Sequence, residues 1–245
     1  MQRSEAPAGP ERSLHLQFER LPRVSPGASA KALLAGAVAV GVCGIPIVSL
    51  LPIGPLSAHM VHHIGLMSVL APLGAVALAP LVHERIERLR SGRGVMLWTA
   101  VCAQMALLWA WHAPPLHAAT ASGAAYAAML ASLFVAALCF WGGILLLPDR
   151  SRWQGIVALL ATGKLACLLG TLLIFAPRLL YACTAGHAAA HSLQDQQLAG
   201  LLMVVACPLS YVLVGIILSA QMMHGPGAQT RLPAQPDIAA SRQVR

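Results

Sequence analysis

Residues 58–82 read AHMVHHIGLMSVLAPLGAVALAPLV, a run without one Asp, Glu, Lys or Arg. It is long enough for a helix to cross a hydrocarbon core of about 30 Å. Its apolar residues are continuous. A barrel strand would instead alternate lipid-facing and inward residues over about ten positions. Comparable runs occupy residues 31–51, 93–112, 124–147, 154–176 and 197–219. Of the 245 residues, 58% are apolar and 10% charged, against roughly 25% charged in an ordinary soluble domain. Such a chain cannot cover itself with polar surface in water. The expected fold is all-α: a polytopic transmembrane bundle of six spans with the lipid bilayer as its solvent.

The formal net charge of +8 invites a nucleic-acid reading, but its distribution argues for topology instead. Arg3, Arg12, Arg20, Arg23 and Lys31 precede the first run, and Arg85, Arg88, Arg90 and Arg93 fall between the second and third. Arg150 and Arg152 follow the fourth, and Arg231, Arg242 and Arg245 follow the sixth. The alternate connections hold only Arg178. Positive residues are retained in the cytoplasm, so both termini are expected there, with no nucleic-acid partner. Residues 1–30 and 220–245 read as cytoplasmic tails flanking a six-helix domain at 31–219, and no internal repeat is visible. The first 30 residues are long and mixed in charge, and no small-residue cleavage site follows the first run, so that run reads as a retained signal anchor. None of the six cysteines forms a CxxC pair, and no disulfide framework is indicated.

With this orientation seven of the ten histidines fall on the outer side. His59, His62 and His63 open the second span, His112 and His117 stand at the end of the third, and His187 and His191 precede the sixth. His15, His83 and His224 are cytoplasmic. On a helix His59 and His63, four apart, share a face, with Met67 one turn deeper, while His62 points about 100° from His63. Imidazole suits Cu, Zn, Fe and Ni, and thioether sulfur favours Cu(I). An i, i+4 pair supplies only part of a coordination shell, and the same pair at a helix end also serves as an interfacial hydrogen-bonding group. A third imidazole from a facing helix would complete more of the shell, and His112 in Trp111-His112-Ala113-Pro114 lies at the same membrane depth. The same segment also reads as a helix stop with interfacial tryptophans.

Asp195-Gln196-Gln197-Leu198-Ala199-Gly200 opens the last run. Ser192 and Asp195 have capping spacing, Gln196, Gly200 and Met203 share a face, and Gly200 permits close helix approach. Lys164 is the one basic residue well inside a span, where an ionisable group is a functional candidate unless it snorkels to water.

These motifs, taken in order, resemble the CtaG-type cytochrome c oxidase assembly protein family of bacterial inner membranes over roughly residues 57–215. They are His59-Met60 with His63, Ala71-Pro72-Leu73, Trp111-His112 with Pro114, Phe140-Trp141, Phe175-Ala176-Pro177 with Tyr181, and Asp195 to Gly200 with Met203. The resemblance implies a non-enzymatic role in maturing a haem-copper oxidase, by copper delivery or copper-site assembly, with oxidase subunits and a copper chaperone as partners. Its pattern falls on His59, His63, His112, Asp195, Gln196, Gly200 and Met203. The chain departs from it at His62, where a polar amide is common, at His117, where an aromatic is common, and at residues 124–129, where histidine is common.

The expected metal ligands are therefore His59, His63 and His112 for copper, supported by Met67, Asp195, Gln196, Gly200 or Met203. An enzyme is disfavoured, since HExxH, GxSxG and paired intramembrane carboxylates are all missing. A b-type haem carrier, with histidines of two helices as axial ligands, and a copper transporter are the competing readings.

Overall fold

The computed structural model describes residues 36, 52–87, 92–181 and 192–224. Among them every regular element is helical. The elements are α1 (Pro55–Gly65), a π-helical turn (Leu66–Leu70), α2 (Ala71–Glu87), α3 (Arg93–Trp111), α4 (Pro114–Ala119), α5 (Gly123–Leu145), a 3-10 turn (Asp149–Ser151), α6 (Arg152–Phe175) and α7 (Leu193–His224). Five helical stretches are long and apolar enough to cross a membrane: Pro55–Val82, Arg93–Trp111, Gly123–Leu145, Asp149–Phe175 and Leu193–Met223. They coincide, within a few residues, with five of the six expected spans. The sixth, at 31–51, and both tails lie outside the described residues, as do His15, His187 and His191 and the side chains of His83 and His224. The chain is a multi-pass helical membrane protein.

Local chemistry sets the helix ends. Pro55 and Pro114 open α1 and α4 at positions where a missing N–H costs nothing. Ahead of Pro114, Ala113 is held extended, which stops α3 at Trp111 with His112 as its cap. Ser122 caps α5 by accepting from the Ala125 N–H.

The π turn has a traceable cause. The Ala71 N–H bonds back five residues to the Leu66 carbonyl, and Pro72 has no N–H, so neither can serve the Met67 carbonyl. The indole of Trp141 donates to it instead, at 2.9 Å. An unsatisfied carbonyl in a dry interior is expensive, so the Ala71-Pro72 and Phe140-Trp141 motifs act as one device joining α1–α2 to α5.

Helices α6 and α7 make the closest crossing. A Cβ on Gly170 would collide with the Gly200 carbonyl oxygen, and one on Gly200 with the Gly170 carbonyl, so the crossing needs glycine on both sides. Deeper in, Gln104 Nε2 of α3 donates to the Tyr211 hydroxyl of α7 at 2.9 Å, and Tyr211 stacks on Trp141. Large apolar side chains such as Val95, Leu160, Leu201, Val205 and Leu209 face outward, as a bilayer solvent requires. Lys164 is also exposed, beside the α6–α7 groove rather than inside the bundle. The described cysteines, Cys102, Cys139, Cys167 and Cys207, are free thiols.

Alternation of the helices produces two chemically different ends. At one, Arg93 donates to the Leu146 carbonyl, and Arg152 meets Gln221 and Asp149. At the other stand the start of α1 with His59, His62 and His63, the end of α3 with His112, α4 with His117, and the starts of α5 and α7.

Candidate functional site

The histidine end is built around the start of α1, and the residue that anchors it comes from α7. Gly54 provides no side chain to cap α1, so its first N–H groups need acceptors from elsewhere. The Asp195 carboxylate supplies them, accepting from the Leu56 N–H at 2.9 Å and the Ser57 N–H at 3.0 Å, and from the Ser57 hydroxyl. A negative group at a helix N-terminus is also favoured by the helix dipole. Gly54 makes room for it, since a Cβ there would overlap the carboxylate. Asp195 is itself placed by Ser192, whose hydroxyl accepts from its N–H at 3.0 Å.

Gln196, fully buried, ties down the connection after α6. Its amide nitrogen reaches the Leu173 and Arg178 carbonyls, and its oxygen accepts from the Leu180 N–H. That connection delivers Tyr181, whose hydroxyl donates to the His112 carbonyl at 2.9 Å and whose ring lies 4.0 Å from that of His117. Burial pushes the Tyr181 phenol up to about 12.

On this frame His59, His63 and His112 come together, all buried. Ring centroids are 5.9 Å apart for His59 and His63, 6.4 Å for His59 and His112, and 5.3 Å for His63 and His112. Three imidazoles sharing one tetrahedral ion, with bonds of about 2.0–2.1 Å, hold their centroids roughly 5 Å apart. Among the described residues no group of three His, Cys, Asp or Glu side chains forms a ready metal-binding arrangement.

The ring nitrogens are partly assigned by their partners. His112 Nδ1 lies 2.7 Å from the Leu108 carbonyl, which can only accept, so Nδ1 carries the proton and Nε2 presents a lone pair. His63 Nδ1 faces the His59 carbonyl at 3.4 Å, and its buried Nε2 has no hydrogen-bond partner among the described residues. An imidazole nitrogen buried with its lone pair unused fits a metal ligand.

Two neighbours escaped the sequence reading. His117, buried on α4, brings its ring to 5.0 Å from that of His59. Met60, fully buried, places Sδ 3.5 Å from His112 Nε2. A signal for Met60 was available, because at 100° per residue positions 59, 60 and 63 fall within an arc of about 100°. For His117 topology gave its end of the bundle but not its contact with His59, which depends on the short helix after Pro114. His62 turns away from the cluster and meets the Tyr126 hydroxyl at 2.6 Å.

The expected supporting residues occupy structural positions. Met67 lies in the π turn, where its carbonyl is engaged by Trp141. Asp195 and Gln196 hold α1 and the α6–α7 connection, and Gly200 and Met203 lie at the α6–α7 crossing.

A profile of the cytochrome c oxidase caa3 assembly factor family matches residues 16–225. The chain belongs to this family. No curated protein and no solved structure gives a significant match. Family membership makes the chain a cytochrome c oxidase assembly factor, and of the motifs that carried the resemblance, those holding His59, His63, His112, Tyr181, Asp195 and Gln196 meet at the histidine end.

Proposed function

We propose that this assembly factor delivers copper to, or matures a copper site of, a haem-copper cytochrome c oxidase, working through His59, His63 and His112. The supporting observation is the convergence of three buried imidazoles from two helices, one with an unused ring nitrogen, at a single end of the bundle. Copper here is cargo. The side chains hold the ion out of water and pass it on, and no bond of a substrate is made or broken.

The arginine-bearing end is assigned to the cytoplasm by the positive-inside bias, and the histidine end to the outer face of a bacterial inner membrane. On this reading residues 31–51 form a sixth span and both termini are cytoplasmic. Oxidase subunits are the client, and a copper chaperone the donor.

Copper analysis of the purified protein, paired with an oxidase assay in a deletion strain, tests the proposal. The expected result is bound copper in the protein and, in the deletion strain, less assembled oxidase with less copper while haem synthesis persists. A copper-free protein, or normal oxidase activity in the deletion strain under limited copper, would contradict it. A Soret band in the purified protein would favour the haem carrier, and copper uptake into vesicles the transporter.

A further inference from the structure

The contact between His112 and Met60 is hard to account for in a site that holds only protons. His112 Nδ1 gives its hydrogen to the Leu108 carbonyl at 2.7 Å, so in the neutral ring Nε2 is a lone pair. At 3.5 Å it faces the thioether sulfur of Met60, which has no hydrogen to donate. Two acceptors are thus aimed at each other, both on buried side chains. A doubly protonated His112 would relieve the clash, but it would place an imidazolium in a dry site beside two further imidazoles, His59 and His63, at an unfavourable desolvation cost.

A soft cation relieves it without that cost. Bonds of about 2.0 Å to imidazole nitrogen and about 2.3 Å to sulfur, with their donor atoms 3.5 Å apart, enclose an angle of about 110°, close to tetrahedral. The unused Nε2 of His63 is available from the same helix face as Met60. Thioether sulfur is a soft ligand and selects Cu(I), whereas nitrogen alone would serve Zn(II) or Cu(II) as well.

We propose that Met60 is a sulfur ligand of the histidine cluster and makes it selective for Cu(I) over Zn(II) and Cu(II). The inference rests on the copper reading above and adds to it the oxidation state and the residue that sets it.

The test uses the full-length protein in detergent, with Cu(I) affinity measured by competition against a Cu(I) chelator and Zn(II) affinity measured separately. Met60→Leu, which keeps volume and apolar character, should weaken Cu(I) binding about ten-fold or more and move Zn(II) binding less than about three-fold. X-ray absorption at the copper edge of the wild-type Cu(I) protein should show a sulfur scatterer that is absent from the variant. That spectrum needs no variant, so a Met60→Leu chain that fails to fold leaves the test intact. Bound Cu(I) with only nitrogen or oxygen neighbours would overturn the Met60 assignment and leave the copper reading standing. A wild-type protein that binds copper in neither oxidation state would overturn the copper reading itself.

Discussion

Single side chains at the histidine end divide into those that face the cluster and those that hold it. His63→Ala removes the imidazole with the unused nitrogen and should weaken copper binding about ten-fold or more, whereas His187→Ala should change it little. Competition titration of the two variants checks this, and equal affinities would contradict the assignment. Tyr181 belongs to the second group. Because its phenol is pushed from the ordinary 10.0 up to about 12, the folded protein keeps that proton where the unfolded chain loses it. The stability contributed is full below pH 10 and lost as pH rises to about 12. Melting of the wild type should therefore fall over that window relative to Tyr181→Phe, which lacks the titrating group. Near neutral pH Tyr181→Phe should cost about 1 kcal/mol, the loss of its bond to the His112 carbonyl. An identical pH dependence in the two proteins would remove Tyr181 from the site's support. The sequence made the pairing of His59 with His63 legible because helical spacing is local. His117 and Tyr181 were not, because their positions depend on two connections whose paths no periodicity encodes.

The elements are joined by polar contacts that a dry interior makes costly to break. Asp195→Ala would orphan the Leu56 and Ser57 N–H groups at the start of α1, a loss of roughly 2–4 kcal/mol, with Asp195→Asn falling between. Thermal unfolding in detergent should rank the proteins in that order. If Asp195→Ala melted like wild type, α1 would have to be anchored by other means. Trp141→Phe keeps the ring but leaves the Met67 carbonyl without a donor, and should destabilise by about 1–3 kcal/mol. Restoring an N–H by Pro72→Ala in that background should recover part of the loss, and no recovery would disprove the link between Pro72 and Trp141. Capping by Ser192 and close approach at Gly200 were legible from spacing. That Asp195 caps a different helix was not, because the sequence shows an acid near the start of its own helix and nothing of the neighbour lying against it.

For the whole molecule, five of the spans follow from uninterrupted apolar length, and their alternation separates an arginine end from a histidine end. The bilayer makes the spans the most legible feature, because a count of apolar residues sets them before any packing is considered. Reporter fusions after residues 53, 120 and 186 should report the outer compartment and those after 90 and 150 the cytoplasm. One cytoplasmic signal from the first set would break the orientation. If the histidine cluster carries copper for oxidase assembly, the copper content of oxidase purified from cells whose only copy of this protein is His63→Ala, grown on limited copper, will show it. That oxidase should retain its haem and be depleted in copper relative to the wild-type strain. Oxidase with a full copper complement from the His63→Ala strain would contradict it.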